Sequence, residues 1–266
     1  MNVLFPANTG QRYYDIHFRS VLEVLRHGGA HVELEEIPSE SETLIIVNID
    51  GQWTLFDCSD AGLWRSDSRF PVFKFHHRTD ERYANVFPFA PVSFFNWVGF
   101  GCLRAEVAYD PARAMTIAMR QRPYGNAVER RNAVLAQLRA AFTDRLACDL
   151  LPQPAFWRNV SSIRLAVCVP GQNNNMLDRG QYQYMALGAA TVSPYLPELL
   201  PFDATLDGCY IPCRDDYADL TAVIDGIDDE ALLATGRRAA DLFQRTSMPD
   251  RLVEWVDRCL ARYRAL

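Results

Sequence analysis

The strongest constraint on the fold of this chain is a regular alternation of strand-like and helix-like segments after Asp110-Pro111. Apolar runs at residues 115–119 and 163–169 each lead through a polar loop into a segment with helical spacing, and a further strand-like run follows at residues 189–192. Strands that are joined through helices lie parallel in one sheet and are connected by right-handed crossovers. The sequence therefore predicts a parallel α/β sheet in the C-terminal half.

The N-terminal half predicts a smaller α/β arrangement. An apolar run at residues 2–7, a helical pattern that ends at Gly28-Gly29 and an alternating segment at residues 31–36 form the opening of a βαβ unit. Asp50-Gly51 then predicts a tight hairpin between two strands. Residues 86–103 are rich in Phe, Pro, Trp and Gly and are interpreted as irregular packing segments.

The length of 266 residues allows two small domains, each with its own core. We expect an α/β class protein with two Rossmann-like domains: a small N-terminal domain at residues 1–110 and a parallel-sheet domain at residues 111–248. A terminal helix at residues 249–266 is placed to pack back on the N-terminal domain.

Charge and composition narrow the expected partners and location. The net charge of −6 argues against broad electrostatic binding to nucleic acid. The chain has no run of 18 apolar residues, so no transmembrane segment is expected, and seven cysteines without paired spacing fit the reduced thiols of a cytoplasmic protein. Cys209 and Cys213 lack the further ligands that a zinc site needs, so no metal site is expected.

The loop at residues 120–126 follows a predicted strand and precedes a predicted helix. Such a turn offers backbone N–H groups and the positive end of a helix dipole to an anion. One interpretation is a diphosphate clamp; the other is an ordinary solvated loop. The candidate residues here are Arg120, Arg122 and Tyr124.

The loop at residues 170–179 contains four consecutive amide side chains. Amides can recognise hydroxyls and heterocycle edges both as donors and as acceptors. Asp178 can accept hydrogen bonds from ribose or sugar hydroxyls and Arg179 can pair with phosphate, although Asp178 can equally serve as the cap of the next helix. The candidate residues of this loop are Gly171, Gln172, Asn173, Asp178 and Arg179. Gln183 in the following helix and Gly10 in the turn after the first strand complete the set.

Several of these segments together resemble the donor domain of GT-B glycosyltransferases, in particular the group-1 type. The resemblance is carried by residues 163–194, by Asp-Asp-Tyr at residues 215–217, by Gly-Arg-Arg at residues 236–238 and by the strand–arginine loop–helix at residues 115–142. It covers residues 110–262. It implies a nucleotide-sugar as donor substrate, a hydroxyl-bearing acceptor and no obligatory metal or other cofactor.

The chain departs from the group-1 pattern at two positions. Retaining members carry two glutamates with seven residues between them, whereas Asn175 and Gln183 occupy the corresponding positions here. The resemblance therefore favours an inverting enzyme, with a non-catalytic binding or scaffold protein of the same fold as the alternative. A transferase that acts on modified DNA bases is a third, less favoured interpretation.

An inverting transferase needs a general base that takes the proton of the acceptor hydroxyl. Strand ends of the N-terminal half offer Asp57, Asp60, His76 and His77. Asp60 and His77 are the predicted catalytic residues, and the alternative for each is an ordinary capping or surface role. The short N-terminal half and its aromatic stretch are compatible with a homodimer.

Overall fold

A computed structural model describes residues 1–7, 15–37, 44–59, 69–80, 83–90, 116–160, 162–171 and 175–266. These residues form an α/β protein with a mixed six-stranded sheet, a parallel five-stranded sheet and a small antiparallel ribbon. Seven α-helices lie within the described ranges. The chain divides into two compact units, both discontinuous: unit 1 is Met1–Val98, Glu198–Thr205 and Arg245–Leu266, and unit 2 is Gly99–Pro197 and Leu206–Gln244.

These units differ from the three consecutive ranges expected from the sequence. The chain leaves unit 2 twice, because residues 198–205 and 245–266 find their packing partners in unit 1. Hydrophobic periodicity gives no information on which sheet a segment packs against, so a boundary can be read from the sequence only where the composition changes.

Unit 1 is built on a sheet with the strand order β2-β1-β3-β4-β5-β6. Its strands are β1 (Asn2–Pro6), β2 (His31–Glu35), β3 (Leu44–Ile49), β4 (Gln52–Asp57), β5 (Val72–Lys74) and β6 (Val86–Pro88). The predicted βαβ opening is confirmed, since α1 (Asp15–His27) joins the parallel strands β1 and β2. The predicted hairpin is also confirmed: β3 and β4 are antiparallel, and Asp50 and Gly51 have φ values of 48° and 85° that suit a tight turn.

One prediction for unit 1 is wrong. Val86–Pro88 lies in the segment interpreted as irregular, but it forms the edge strand β6, parallel to β5. The Phe73 and Phe87 rings lie 5.7 Å apart on neighbouring strands, so an aromatic pair supports this short strand. Pro88 is tolerated because an edge strand needs no hydrogen bond from every residue. The rest of that segment, from residue 91 to residue 103, lies outside the described residues.

The last helix of the chain, α7 (Pro249–Arg264), packs against α1 within unit 1. The approach is close at Gly28, where an added Cβ would lie 2.4 Å from the Pro249 carbonyl oxygen. Trp255 Nε1 donates a hydrogen bond of 2.7 Å to the Pro88 carbonyl oxygen and so ties α7 to β6. The ribbon of β11 (Leu199–Leu200) and β12 (Ala204–Thr205) also belongs to unit 1.

Unit 2 is built on a fully parallel sheet with the strand order β13-β10-β9-β7-β8. Its strands are β7 (Ile117–Ala118), β8 (Leu146–Ala147), β9 (Leu165–Val167), β10 (Ala190–Ser193) and β13 (Ile211–Pro212). Its helices are α2 (Val128–Phe142), α3 (Gln153–Val160), α4 (Arg179–Ala186), α5 (Leu220–Gly226) and α6 (Asp229–Thr246), the last two residues of α6 belonging to unit 1. The predicted parallel sheet is therefore confirmed.

The order of the described strands in unit 2 indicates where a ligand crevice is expected in a sheet of this type. Along the chain the five strands are arranged 2-1-3-4-5, so the chain moves outward in opposite directions from the pair β7 and β9. Such a reversal opens a crevice at the carboxyl ends of the two strands, where ligands of doubly wound sheets bind. Below this edge the core is apolar, with Val134 and Leu138 of α2 packed on β7 and β9 residues.

Two short elements of unit 2 were not predicted, namely β8 and α3. A strand of two residues leaves too little alternation to be recognised in a sequence. Within the described parts of the chain, no helix is both long enough and apolar enough to cross a membrane.

Candidate functional site

The candidate site lies at the carboxyl ends of β7 and β9 in unit 2. The two strands pair only as far as Ala118 and Ala166. Beyond that point side chains replace the ladder: Val169 N donates to Gln121 Oε1 at 2.6 Å, and the Val169 carbonyl oxygen accepts two hydrogen bonds from the guanidinium group of Arg131. At this edge of the sheet the backbone pairing between the two strands therefore ends, and polar side chains take its place.

Arg131 organises this edge. Its side chain is 2% exposed and donates to the carbonyl oxygens of Val169 and Arg122 and to Asp178 Oδ2, the last at 3.1 Å. It therefore links α2 to the loops after β7 and β9. Because each of the three guanidinium nitrogens already donates within the protein, the main role of Arg131 is to hold this edge in shape.

Asp178 caps α4, which was one of the two roles considered for it. Its Oδ1 accepts a hydrogen bond of 2.8 Å from Gly180 N, and its Oδ2 faces Arg131. The carboxylate therefore occupies the N-terminus of α4 that an anionic ligand would otherwise use. Each oxygen retains a second lone pair, so hydroxyl binding by Asp178 stays a prediction.

Other polar atoms at the same edge are buried without a hydrogen-bond partner among the described residues. They include three N–H donors, of which two belong to guanidinium groups: Arg120 Nε, Gln121 Nε2 and Arg130 Nε. A buried donor without an acceptor costs about 1–3 kcal/mol. Oxygen atoms of a bound group would remove that cost, so these donors are chemically suited to an oxygen-rich ligand.

Tyr184 adds a hydroxyl to this group of donors. Its oxygen is buried without a partner among the described residues, and its ring lies 5.3 Å from that of Phe156. Burial raises the pKa of the Tyr184 hydroxyl well above its usual value; the neighbouring Cys168 and Asp178 act in the same direction and Arg120 opposes them. The hydroxyl consequently keeps its proton and can donate it in a hydrogen bond.

Tyr124 and Gly171 meet at the mouth of the site. Tyr124 is 42% exposed, and the guanidinium carbon of Arg131 lies 5.1 Å from its ring centroid. A Cβ added to Gly171 would lie 2.8 Å from the Tyr124 hydroxyl. A glycine at position 171 therefore lets the tyrosine lie over the loop that follows β9.

The structure brings most of the predicted donor-binding residues to this edge. Arg120, Arg122 and Tyr124 follow β7, whereas Gly171, Asp178 and Arg179 surround the loop between β9 and α4. One guanidinium N–H of Arg120 donates to the Asp149 carbonyl oxygen, and Arg179 is the first residue of α4. The predicted residues Gln172 and Asn173 in the same loop, and Gly10 in unit 1, lie outside the described residues.

The remaining predicted residues lie elsewhere. Gln183 Oε1 accepts a hydrogen bond of 2.7 Å from Trp157 Nε1 and thereby joins α4 to α3. His77 belongs to unit 1, where its side chain is buried and its carbonyl oxygen accepts a hydrogen bond from Leu199 N. Asp60, the other predicted catalytic residue, lies outside the described residues.

The sequence analysis missed Gln121, Arg130 and Arg131. A signal for Arg131 exists, since it continues the apolar stripe of α2 three residues before Val134 and is buried like that residue. A charged residue on an apolar stripe must find partners inside the protein. Arg130 lacks this signal because its position in the helix does not place it on the stripe.

Comparison of the chain with protein-family models gives no match, and comparison with curated proteins gives none either. Function is therefore inferred from the site itself.

Proposed function

We propose that unit 2 binds a nucleotide-sugar through its pyrophosphate at the carboxyl ends of β7 and β9, and that the protein is an inverting, metal-independent glycosyltransferase of the two-domain GT-B type. The observation that carries the proposal is the set of buried, unsatisfied N–H donors of Arg120, Gln121 and Arg130 at the crevice of a parallel sheet. Both the position and the donor chemistry suit a pyrophosphate.

The charge of the edge supports an anionic ligand. Five arginines lie on its loops and helix ends, against the carboxylates of Asp149 and Asp178, and Arg131 is neutralised by Asp178. Arginine suits phosphate oxygens because its planar group donates two parallel hydrogen bonds. The arginines are Arg120, Arg122, Arg130, Arg131 and Arg179.

The transferase step follows from the chemistry of such a donor. A hydroxyl oxygen attacks the anomeric carbon, a base takes its proton, and the diphosphate leaves with the electron pair of the broken C–O bond. The cationic edge stabilises the negative charge that develops on the leaving group, and this does not require a metal ion. Tyr184 and Asp178 are placed to hydrogen-bond hydroxyl groups of the donor.

The first experiment is isothermal titration of the full chain with UDP-, GDP-, ADP- and CMP-sugars and with the free nucleotides. We expect one of these families to bind, and Arg120→Ala to weaken that binding about 10- to 100-fold, the loss of one charged hydrogen bond. Turnover is then followed as release of the nucleotide, with and without hydroxyl acceptors.

Arg145→Ala is the matched control. Arg145 is an exposed arginine in the turn that follows α2, at the amino edge of the sheet, where it pairs with Asp225 at 3.4 Å. Arg145→Ala removes one positive charge from unit 2, as Arg120→Ala does, but at a position outside the candidate site. Failure of every nucleotide to bind, or an equal loss in both variants, would contradict the proposal.

A non-catalytic binding protein is the second candidate. It is favoured by Gln183, which stands where retaining members carry a glutamate and whose Oε1 is engaged with Trp157 Nε1. This candidate predicts nucleotide-sugar binding without release of the nucleotide in the presence of any acceptor. Release that is lost in Arg120→Ala would exclude it.

A further inference from the structure

Three consecutive backbone carbonyl groups after β9 are each held by a different side chain. The Cys168 carbonyl oxygen accepts a hydrogen bond of 3.2 Å from the Tyr217 hydroxyl, and the Val169 carbonyl oxygen accepts two from Arg131. The carbonyl oxygen of residue 170 accepts one of 3.2 Å from Arg130 Nη2. Side chains from other elements therefore fix the course of the chain where it enters the loop of the candidate site.

The need for Tyr217 follows from the way the neighbouring strand β10 ends. Val167 is paired with Val192, and one residue further Cys168 N donates to the Val192 carbonyl oxygen at 2.8 Å. In a parallel ladder the Cys168 carbonyl oxygen would then accept from the backbone nitrogen of residue 194. That residue is Pro194, which has no N–H group. Because Cys168 is buried, its carbonyl group needs a donor from a side chain.

Tyr217 supplies this donor from a strained backbone position. It lies in the turn between β13 and α5, is 1% exposed and has a φ of 58°. For a bulky side chain such a φ is a rare, high-energy conformation that persists only where the surroundings enforce it. Tyr217 N donates to the Arg214 carbonyl oxygen at 2.9 Å, and Gln137 Nε2 of α2 donates to the Tyr217 carbonyl oxygen at 3.3 Å. These hydrogen bonds help to hold the strained conformation.

Packing alone does not account for the hydroxyl group of Tyr217. The residue belongs to the apolar core of unit 2, together with Leu138 and Val167. A phenylalanine ring would fill the same space without a polar atom to bury. Burial raises the pKa of the Tyr217 hydroxyl well above its usual value, and Cys213 acts in the same direction while Arg130 opposes it. The hydroxyl therefore keeps its proton and remains a hydrogen-bond donor.

Arg130 connects this arrangement to the donors of the candidate site. Its Nη2 donates to the Pro170 carbonyl oxygen, whereas its Nε is buried and has no acceptor among the described residues. Because the guanidinium group is planar, the position of the Pro170 carbonyl oxygen restricts the direction of the Nε–H bond. Pro170 lies two residues after Cys168, so the hydrogen bond from Tyr217 acts on it through a short stretch of backbone.

We propose that Tyr217 is a positioning residue of this edge: its hydroxyl holds the end of β9 so that Arg130 directs its Nε–H to a phosphate oxygen. The inference rests on the proposed binding of a pyrophosphate at this edge. Tyr217 acts through the backbone and Arg130, not through a ligand contact of its own.

The test titrates inorganic pyrophosphate into the full chain and into Tyr217→Phe by isothermal calorimetry. Phenylalanine keeps the ring and removes only the donor. We expect the dissociation constant of pyrophosphate to rise about 3- to 10-fold, which corresponds to the loss of one ordinary hydrogen bond. An unchanged dissociation constant in Tyr217→Phe would overturn the proposal.

A double-variant cycle with Arg130→Lys tests the route through Arg130. Lysine keeps the positive charge, so binding stays measurable, but it lacks the planar group that the Pro170 carbonyl oxygen orients. In the Arg130→Lys background, Tyr217→Phe is expected to change the dissociation constant by less than about twofold. Equal factors in the two backgrounds would overturn the proposal, because Tyr217 would then not act through Arg130.

Tyr210→Phe is the matched control. It removes another tyrosine hydroxyl of unit 2 that contacts the backbone, since Tyr210 Oη accepts a hydrogen bond of 2.9 Å from Leu196 N. Leu196 follows β10 and not β9, so the dissociation constant should stay at the wild-type value. An equal rise in both variants would indicate a general loosening of unit 2 and would overturn the proposal.

NMR gives a readout that does not depend on binding. We expect Tyr217→Phe to shift the ¹³C resonance of the Cys168 carbonyl and the ¹⁵N resonance of Val169, because their shared peptide group loses its donor, and Tyr210→Phe to leave both in place. In the wild type the Tyr217 hydroxyl proton should exchange slowly with water. Exchange as fast as in free tyrosine would overturn the proposal even if Tyr217→Phe fails to fold.

The outcomes separate this inference from the proposed function. Pyrophosphate binding that depends on Tyr217, without binding of any nucleotide-sugar, would contradict only the transferase. Binding of nucleotide-sugars with the same affinity in wild type and Tyr217→Phe would overturn only the inference. Absence of binding of pyrophosphate and of every nucleotide to the wild type would contradict both.

Discussion

Nη2 of Arg131 lies 3.1 Å from Oδ2 of Asp178, and this ion pair between a buried guanidinium and a half-buried carboxylate joins α2 to the cap of α4. Replacement of Arg131 by leucine removes the donors to Asp178 Oδ2 and to the Val169 carbonyl oxygen, whereas Asp178 Oδ1 keeps its bond from Gly180 N. We expect Arg131→Leu to lower the free energy of unfolding by up to about 3–5 kcal/mol, the effect of removing one partner of a fully buried pair, because Arg131 is buried but Asp178 keeps some contact with solvent. Urea denaturation of the variant and the wild type measures this difference.

Asp178→Asn provides the control for that experiment, since asparagine can still cap α4 but carries no charge. The double variant Arg131→Leu/Asp178→Asn should recover part of the lost stability because no unpaired charge remains. Additive effects of the two substitutions would show that the ion pair does not couple these residues.

Gly236 in α6 has no room for a side chain. An added Cβ would lie 2.2 Å from the Gly188 carbonyl oxygen, and this neighbour is backbone that cannot rotate away. We expect Gly236→Ala to destabilise the protein by at least about 2 kcal/mol, although alanine favours helix. Thermal or urea denaturation is the measurement.

Gly226→Ala is the matched control for Gly236→Ala. Gly226 ends α5, its added Cβ meets no atom within 4 Å, and its φ is not positive. This substitution should raise the free energy of unfolding by about 0.5–1 kcal/mol. Equal effects of the two substitutions would show that the contact between residues 188 and 236 is not tight.

Substitutions of Gly171 and Tyr124 are expected to have coupled effects on stability and on nucleotide affinity. Gly171→Ala forces the Tyr124 hydroxyl away from its position 2.8 Å from the new Cβ, whereas the ring carbon Cζ at 3.4 Å can stay. The double variant Gly171→Ala/Tyr124→Phe should therefore recover the stability and the nucleotide affinity that Gly171→Ala loses. The expected coupling is about 0.5–3 kcal/mol by denaturation; a coupling of zero would contradict the close approach.

Asp57 predicts a specific pH dependence of stability. Burial raises the pKa of its carboxyl in the folded protein, so the folded chain binds more protons than the unfolded chain between the unfolded and the folded pKa values. The stability contributed by this residue consequently falls as pH rises through that window. Above the folded pKa the carboxyl is ionised in both states, and the whole loss of stability from burying its charge is present. Below the unfolded pKa the carboxyl is protonated in both states, so this loss of stability is absent.

Asp57→Asn removes this dependence, because an amide does not ionise and can still accept the hydrogen bond from Ser59 N. The variant should therefore become more stable relative to wild type as pH rises from acid to neutral, which means that its free energy of unfolding minus that of wild type increases. Loss of the charge beside Lys74 shifts the difference between variant and wild type by a constant amount, so the dependence of that difference on pH is unchanged in this range. Asp80→Asn should show no such slope, and a constant difference for Asp57→Asn would contradict the prediction.

Local patterns in the sequence predicted the elements that are long enough to show a period. α1, α2, α4 and α7 each coincide with a segment in which a helix was expected, and Asp50-Gly51 identified the β3–β4 turn through its backbone preference. β8 has two residues and carries no period, so it could not be predicted. The order of strands in the sheets depends on packing of distant segments, which no local pattern describes.

The candidate site was predictable as a set of loops, but not as a set of contacts. Loops after parallel strands meet at one edge, which is why Arg120 and Gly171 could be placed together in advance. The roles of individual side chains depend on geometry. Arg131 donates its hydrogen bonds to backbone carbonyl oxygens, and Gln183 Oε1 accepts a hydrogen bond from Trp157 Nε1. Glu198 lies 122 residues from His76, and nothing near either residue in the sequence indicates that they touch.

The discontinuity of unit 1 has a consequence for biosynthesis. The face of α1 that receives Pro249 and Val253 at Gly28 stays uncovered while more than two hundred further residues are added. At about 5–20 residues per second a ribosome needs on the order of ten seconds or more for that stretch. During this interval that face of α1 lacks the helix that covers it, so the packing of α7 is a late step in the folding of unit 1.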